Sequence, residues 1–209
     1  GDWLTQAGTS PKLVRDTSGT YGWSGHNLAL QSEDFSTTWA NVNSTDTVNS
    51  VVAPNGTTTG DTVTDNSANN QHSIYQDASI IVVNQIFTIS VYAKAGTRTV
   101  INLAIASLTD VFIAATFDLS AGTVSQSGVG SSGGVLAGSA ISDEGNGWYR
   151  CSVSGSINNV TSVFFQASLA DAATFSRDGW GRKLYIGDGS DLYLWGAMLN
   201  RGPTALTYV

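Results

Sequence analysis

Apolar and polar residues largely alternate along Phe87-Thr88-Ile89-Ser90-Val91-Tyr92-Ala93-Lys94. That period of two sends successive side chains to opposite faces of a strand. Further strands are expected at Thr62–Thr64, Ser73–Gln76, Val100–Ser107, Val111–Asp118, Gly138–Ser142, Trp148–Gly155, Ser162–Ser168, Leu184–Ile186 and Asp191–Leu199. Between them lie Pro54-Asn55-Gly56, Ala95-Gly96-Thr97, Ser120-Ala121-Gly122, Gly145-Asn146-Gly147 and Gly187-Asp188-Gly189, all built from residues that suit tight turns. Helical spacing is nearly absent. Many short strands at near-regular intervals predict an all-β fold, a β-sandwich of jelly-roll type.

The pattern also predicts faces. In the strand from Thr88, residues Ile89, Val91 and Ala93 share a buried side, while Thr88, Ser90, Tyr92 and Lys94 share an accessible one. Along Asp191–Leu199, strict alternation puts Leu192, Leu194 and Met198 opposite Tyr193, Trp195, Ala197 and Leu199. Both sides of that strand are apolar, so it needs two covers, the sandwich core and either an N-terminal arm or another subunit. Two stretches break the rhythm. Gly128–Ser139 is rich in Gly and Ser and reads as a long exposed loop or a distorted edge strand. Residues 1–26 are turn-rich yet hold Trp3, Tyr21 and Trp23, which suits an arm that packs on the body or on a neighbouring subunit, ahead of a domain over 27–209.

Ser, Thr, Asn and Gly together make 86 of the 209 residues against 25 charged ones, so small uncharged side chains carry the solubility. The net charge of −7 and the lack of a Lys/Arg cluster argue against nucleic acid, whose binding depends on counterion release by several cations. The longest unbroken apolar run, Val111–Ala115, is far short of the roughly 20 residues of a membrane-spanning helix. No secretory signal opens the sequence, and Gly1 in place of Met suggests a trimmed start. The single cysteine, Cys151, excludes an internal disulfide framework and a thiolate zinc cage, and sharing a strand face with Tyr149 and Val153 marks it as a buried, inert thiol.

Asn27-Leu28-Ala29-Leu30-Gln31-Ser32-Glu33-Asp34-Phe35-Ser36-Thr37-Thr38-Trp39 resembles the opening of a domain common in tailed-phage head-spike, fibre and other virion proteins. The likeness continues through Ala53–Asp61, Tyr75-Gln76, Thr88–Ala95, Gly147-Trp148-Tyr149-Arg150-Cys151 and Leu192–Leu199, in order, over residues 27–208. Upstream, Val14–Tyr21 is similar to the lead-in that often precedes this domain. The resemblance implies a jelly roll akin to carbohydrate-binding modules. It also implies display on the capsid or tail exterior of a virion, usually within a trimer or other homo-oligomer in contact with other virion proteins.

Candidate chemistry is sparse. Glycoside hydrolysis needs two carboxylates roughly 5–10 Å apart; the two glutamates, Glu33 and Glu144, are remote in sequence, and no enzyme activity is expected. His26 and His72 lack the spacing of a helical metal pair. Carbohydrate-binding jelly rolls often carry Ca²⁺, for which Asp188 and Asp191 in Gly187-Asp188-Gly189-Ser190-Asp191 are the available carboxylates; an ordinary Asp-Gly turn explains them equally well. Sugar binding uses exposed aromatic faces flanked by hydrogen-bonding groups. Arg177-Asp178-Gly179-Trp180-Gly181-Arg182-Lys183 offers one, with Trp180 as the platform and Arg177, Arg182 and Lys183 beside it. The competing role for Trp180 is that of a loop anchor against the sandwich. Trp39, Trp148 and Trp195 are expected in the core, and Trp3, Tyr21 and Trp23 in arm packing. The sequence therefore reads as a non-enzymatic virion protein of head-fibre or decoration type, with a cell-surface polysaccharide as its expected ligand. The alternatives are a capsid cement protein without a glycan ligand and a carbohydrate-binding module of a larger bacterial enzyme.

Overall fold

The computed structural model describes residues 13–15, 21–23, 27–78, 83–107, 110–158 and 163–208, the first two segments by backbone alone. The strands in chain order are β1 (Leu13–Arg15), β2 (Tyr21–Trp23), β3 (Ala40–Val42), β4 (Ser44–Val51), β5 (Gly60–Asp65), β6 (Asn69–Asn70), β7 (His72–Asp77) and β8 (Phe87–Ala95). They continue as β9 (Val100–Ala106), β10 (Phe112–Asp118), β11 (Thr123–Val129), β12 (Val135–Gly145), β13 (Trp148–Ser156), β14 (Phe164–Ala170), β15 (Tyr185–Ile186) and β16 (Asp191–Arg201). No helix long and apolar enough to cross a membrane occurs among the described residues.

Two six-stranded antiparallel sheets form a jelly-roll sandwich. The first runs β11-β10-β9-β14-β7-β3 and the second β12-β13-β8-β16-β5-β4. Their facing sides interdigitate as one core: Ile101, Leu103, Ile105, Ile113, Phe117 and Phe165 from the first sheet meet Phe87, Ile89, Val91, Val153, Leu192 and Leu194 from the second. Trp39 closes one end, edge-on to both Phe35 and Phe165 at 5.1 Å. Cys151 is fully buried in this core, and burial pushes its thiol up.

Three expectations are corrected. The outer face of β8 is open only towards Lys94, because Thr88, Ser90 and Tyr92 are buried. The second cover of β16 comes from the chain itself: Trp195 packs with Tyr92, Trp148, Ala53 and Tyr208, in a cluster outside the sandwich core. Strict alternation along β16 fails at Gly196, where the pairing with β8 slips between Trp195 and Met198. A backbone φ of +62° at this glycine inserts a bulge, after which Ala197 and Leu199 face the core instead of sharing a side with Trp195. Gly128–Ser139 takes the second of its two expected forms, distorted edge strand, and not that of a long loop. It is the end of β11, a turn at 130–134 and the start of β12, which together carry the chain from an edge of one sheet to an edge of the other. Glycine is required in that turn, since a Cβ on Gly130 would lie 2.0 Å from the Asp110 carbonyl oxygen and one on Gly134 2.4 Å from that of Phe112.

In the N-terminal segment β1 pairs antiparallel with β2, Leu13 opposite Trp23 and Arg15 opposite Tyr21. Tyr21 and Trp23 are thus placed on one short strand by their backbone. Trp3 and His26 lie outside the described residues.

Candidate functional site

The outer face of the first sheet is built to hold a loop. β9 and β10 present Ala104, Ala106 and Ala114 there, side chains too short to fill the surface, beside Phe112. Trp180 packs into this shallow floor and is itself half-buried. The segment carrying it is tied down at several points. Asn102 Nδ2 donates to the Gly181 carbonyl at 3.1 Å, the Asp110 N–H to that of Gly179 at 2.6 Å, and Gln126 exchanges two hydrogen bonds with the Phe175 backbone. Within the loop, Asp178 Oδ1 accepts the N–H groups of Trp180 and Arg182 at 2.9 and 2.8 Å, while its Oδ2 takes Nε and Nη2 of Arg182. Gly181, at φ +83°, lets the chain pass over Phe112, where a Cβ would come within 2.9 Å of the ring.

Beside Trp180 the sheet surface forms a groove of about 240 Å³ lined by Val42, Gln71, Tyr75, Phe164, Gln166, Trp180 and Arg182. The antiparallel pairing of β14 with β7 sets Gln166 opposite Tyr75 and Phe164 opposite Asp77, which brings these outward side chains together. Tyr75 meets Phe164 edge-on at 5.3 Å, and Phe164 lies 5.9 Å from Trp180 at an interplanar angle of 54°. Three half-buried aromatic rings thus line one groove next to two amide side chains. Such a surface can stack on the apolar faces of a ring while donating and accepting hydrogen bonds along its edges.

The four residues of the predicted carbohydrate site are divided by the fold. Trp180 and Arg182 line the groove, with the Arg182 guanidinium 5.8 Å from the Trp180 ring centre and ion-paired with Asp178 at 2.8 Å. Arg177 lies behind the loop, where its Nη2 bonds Thr116 Oγ1 at 2.8 Å and Asn102 Oδ1 at 3.3 Å. Burial without a carboxylate partner brings its pKa down to about 10. Lys183 sits 5.8 Å from the Phe175 ring centre and 3.8 Å from Asp171, outside the groove. Phe164, Tyr75 and Gln166 were not singled out as site residues by the sequence, in which they read as ordinary strand positions.

The turn at 187–191 is organised around a buried carboxylate that the sequence did not flag. Asp65 Oδ1 accepts the N–H groups of Asp188, Gly189 and Ser190 at 3.1, 2.8 and 3.0 Å, and its Oδ2 accepts Arg98 at 2.6 Å and the Tyr185 hydroxyl at 2.8 Å. Burial works to raise the Asp65 carboxyl, but the hydrogen bonds from Arg98, Tyr185 and the Asp188 backbone, with the charge of Arg98, outweigh it and hold it below its usual range. Asp188 Oδ1 accepts a second bond from Arg98 at 2.7 Å. Asp191 Oδ1 instead takes the backbone N–H and the hydroxyl of Thr97, both at 2.9 Å. The two proposed calcium ligands thus serve different donors, and no three acidic, His or Cys groups converge as a metal site among the described residues. His72 is fully buried between the carbonyls of Asn43 and Tyr185, at 2.7 and 3.3 Å. The two glutamates are also engaged separately: Glu33 accepts from Tyr208 and Glu144 from Ser142.

No family model matches the chain, and no curated protein does. A solved structure described as "CBM4 structure and function" is similar to it at a TM-score of 0.37 and 14% identity, over 69% of this chain and 72% of that one.

Proposed function

We propose that the chain is a non-catalytic carbohydrate-binding protein that holds a saccharide in the groove on the outer face of its first sheet. The observation that carries this reading is the convergence of Trp180, Phe164 and Tyr75 around one groove beside the amides of Gln71 and Gln166. The rings take the apolar faces of a pyranose and the amides its hydroxyls. Arg182 is already neutralised by Asp178, so the groove offers no spare cation and suits a neutral stretch of polymer. The motif run over residues 27–208 supports a setting on the exterior of a tailed-phage virion, as one subunit of a homotrimer that meets host-surface polysaccharide.

The test is a glycan array followed by titration calorimetry on the best neutral ligand. Trp180→Ala and Phe164→Ala should each weaken binding by about tenfold or more, since stacking on an aromatic face is worth roughly 1–3 kcal/mol. A chain that binds no glycan, or variants that bind as well as the parent, would overturn the reading. For the setting, a reconstruction of the assembled particle should show the chain on the outside in threefold arrangement.

A further inference from the structure

The second sheet carries a different groove on its own outer face. Its floor is the paired stretch of β12 and β13, where Gly138 lies opposite Ser154 and Ala140 opposite Ser152. One wall is the segment Pro203–Ala205, and the enclosed volume is about 380 Å³, within the range of small-ligand clefts. That wall is fixed by the chain: Asn200 Nδ2 donates to the Thr204 carbonyl at 3.0 Å, Thr88 Oγ1 to that of Gly202 at 2.7 Å, and the Tyr208 ring packs 4.7 Å from Trp195.

Arg150 borders this groove and, like Arg177 but unlike two other arginines of the fold, lacks a carboxylate partner among the described residues. Arg98 is paired with Asp65 and Asp188, and Arg182 with Asp178. Arg150 makes no ion pair among the described residues. Its Nη2 is spent on neutral acceptors, the Leu206 carbonyl at 2.5 Å, Ser90 Oγ at 3.1 Å and the Met198 sulfur at 3.6 Å. Its Nε is buried with no acceptor at all. The guanidinium is held in place 5.4 Å from the centre of the Tyr92 ring. A positive charge kept partly out of water without an ion-pair partner is costly on its own. An oxyanion entering the groove offsets that cost through charge-assisted hydrogen bonds. The rest of the lining is hydroxyl-rich: Ser152, Ser154 and Thr88 donate their protons to the Ala140, Gly138 and Gly202 carbonyls and keep lone pairs to accept from sugar hydroxyls, and Thr204 adds a fourth hydroxyl.

We infer that the groove between the β12–β13 surface and residues 203–205 is a second ligand site, which takes an acidic sugar and seats its carboxylate or sulfate on Arg150. This site is independent of the aromatic groove, since it lies on the other sheet and shares no lining residue with it. The two faces then divide the chemistry, with a neutral ring on the first sheet and an anionic one on the second.

The experiment is titration calorimetry of the whole chain with a galacturonate trisaccharide, a sulfated disaccharide, the matching neutral trisaccharide and inorganic sulfate. The acidic sugars should bind, more weakly as salt rises. Arg150→Met should lower their affinity about tenfold to a hundredfold, the loss expected for a hydrogen bond to a charged group. Ala140→Trp, which fills the floor and leaves Arg150 in place, should do the same. Thermal melts check that both variants fold. Should Arg150→Met fail to fold, Ala140→Trp alone decides, and unchanged affinity there overturns the proposal. No binding of either acidic sugar overturns it as well, as does inorganic sulfate binding as tightly as the sugars, because the hydroxyl lining would then contribute nothing.

Discussion

Replacing Asp46 by Asn should make the fold less sensitive to pH. Asp46 lies on β4 opposite Val63, and both of its carboxylate oxygens are buried without a hydrogen-bond partner among the described residues. Burial first, then the charges of Asp61 and Asp34, push its pKa up to about 7 from an ordinary 3.8. Between those two values the native chain holds a proton that the unfolded chain has released. Stability therefore falls as pH rises from about 4 to about 7. At 1.36 kcal/mol per pKa unit the gap sets a ceiling of about 4 kcal/mol. The residue as a whole is only half-buried, and solvent screening reduces this to about 1–2 kcal/mol. Urea melts of the parent and Asp46→Asn at half-unit steps from pH 4.5 to 8 measure it. The variant should overtake the parent by about 1–2 kcal/mol at pH 8 and lose that advantage near pH 5. Asp61, also raised chiefly by burial, keeps part of the slope in both proteins. Parallel stability curves for the two proteins would refute the argument.

Asp65→Asn should cost about 2–3 kcal/mol in urea melts at pH 7, because it leaves Arg98 with only the exposed carboxylate of Asp188 as its partner. Since the Asp65 carboxyl is lowered on folding, its contribution is complete above about pH 4 and fades as pH falls through its native value; parent and variant should therefore converge in acid. Gly196→Val should destabilise by about 2 kcal/mol or more, as a Cβ there would approach Tyr92 Cδ2 to 2.9 Å at a φ that disfavours branched side chains; near-UV circular dichroism of the Tyr92–Trp195 cluster should change with it. Cys151 should resist a thiol reagent at pH 8 in the native state and react at once in denaturant.

The strands most legible in the sequence were β8 and β13, whose core sides alternate with polar or small residues, and β9 and β10, which are short, nearly continuous apolar runs covered on both faces. β4 (STDTVNSV) and β11 (TVSQSGV) gave no such signal. Each is an edge strand with much of its surface in water, so little selects apolar residues there. The Gly196 bulge was hidden for a different reason. A period of two read through Ala197 is a sound inference until one extra residue changes which side it faces. At the candidate site, Trp180 stood out locally as a tryptophan between glycines. Phe164 and Tyr75 became part of it through the β7–β14 pairing, a contact between strands far apart in sequence. Which of Arg177, Arg182 and Lys183 met the groove also depended on burial, through partners such as Thr116 and Asn102 that no local pattern links to them.

The place of β16 in the second sheet bears on how the chain folds as it is synthesised. β16 sits between β8 and β5, so until residues 191–201 leave the ribosome that sheet exists as two pieces, β12-β13-β8 and β5-β4. Each piece shows an unpaired inner edge of backbone donors and acceptors and an apolar face without a partner, the surfaces through which nascent chains associate wrongly. The fold is therefore completed late, and slowly, by threading one strand into a waiting gap. The sparse charge of the chain makes that interval the period in which neighbouring nascent copies are least protected from one another.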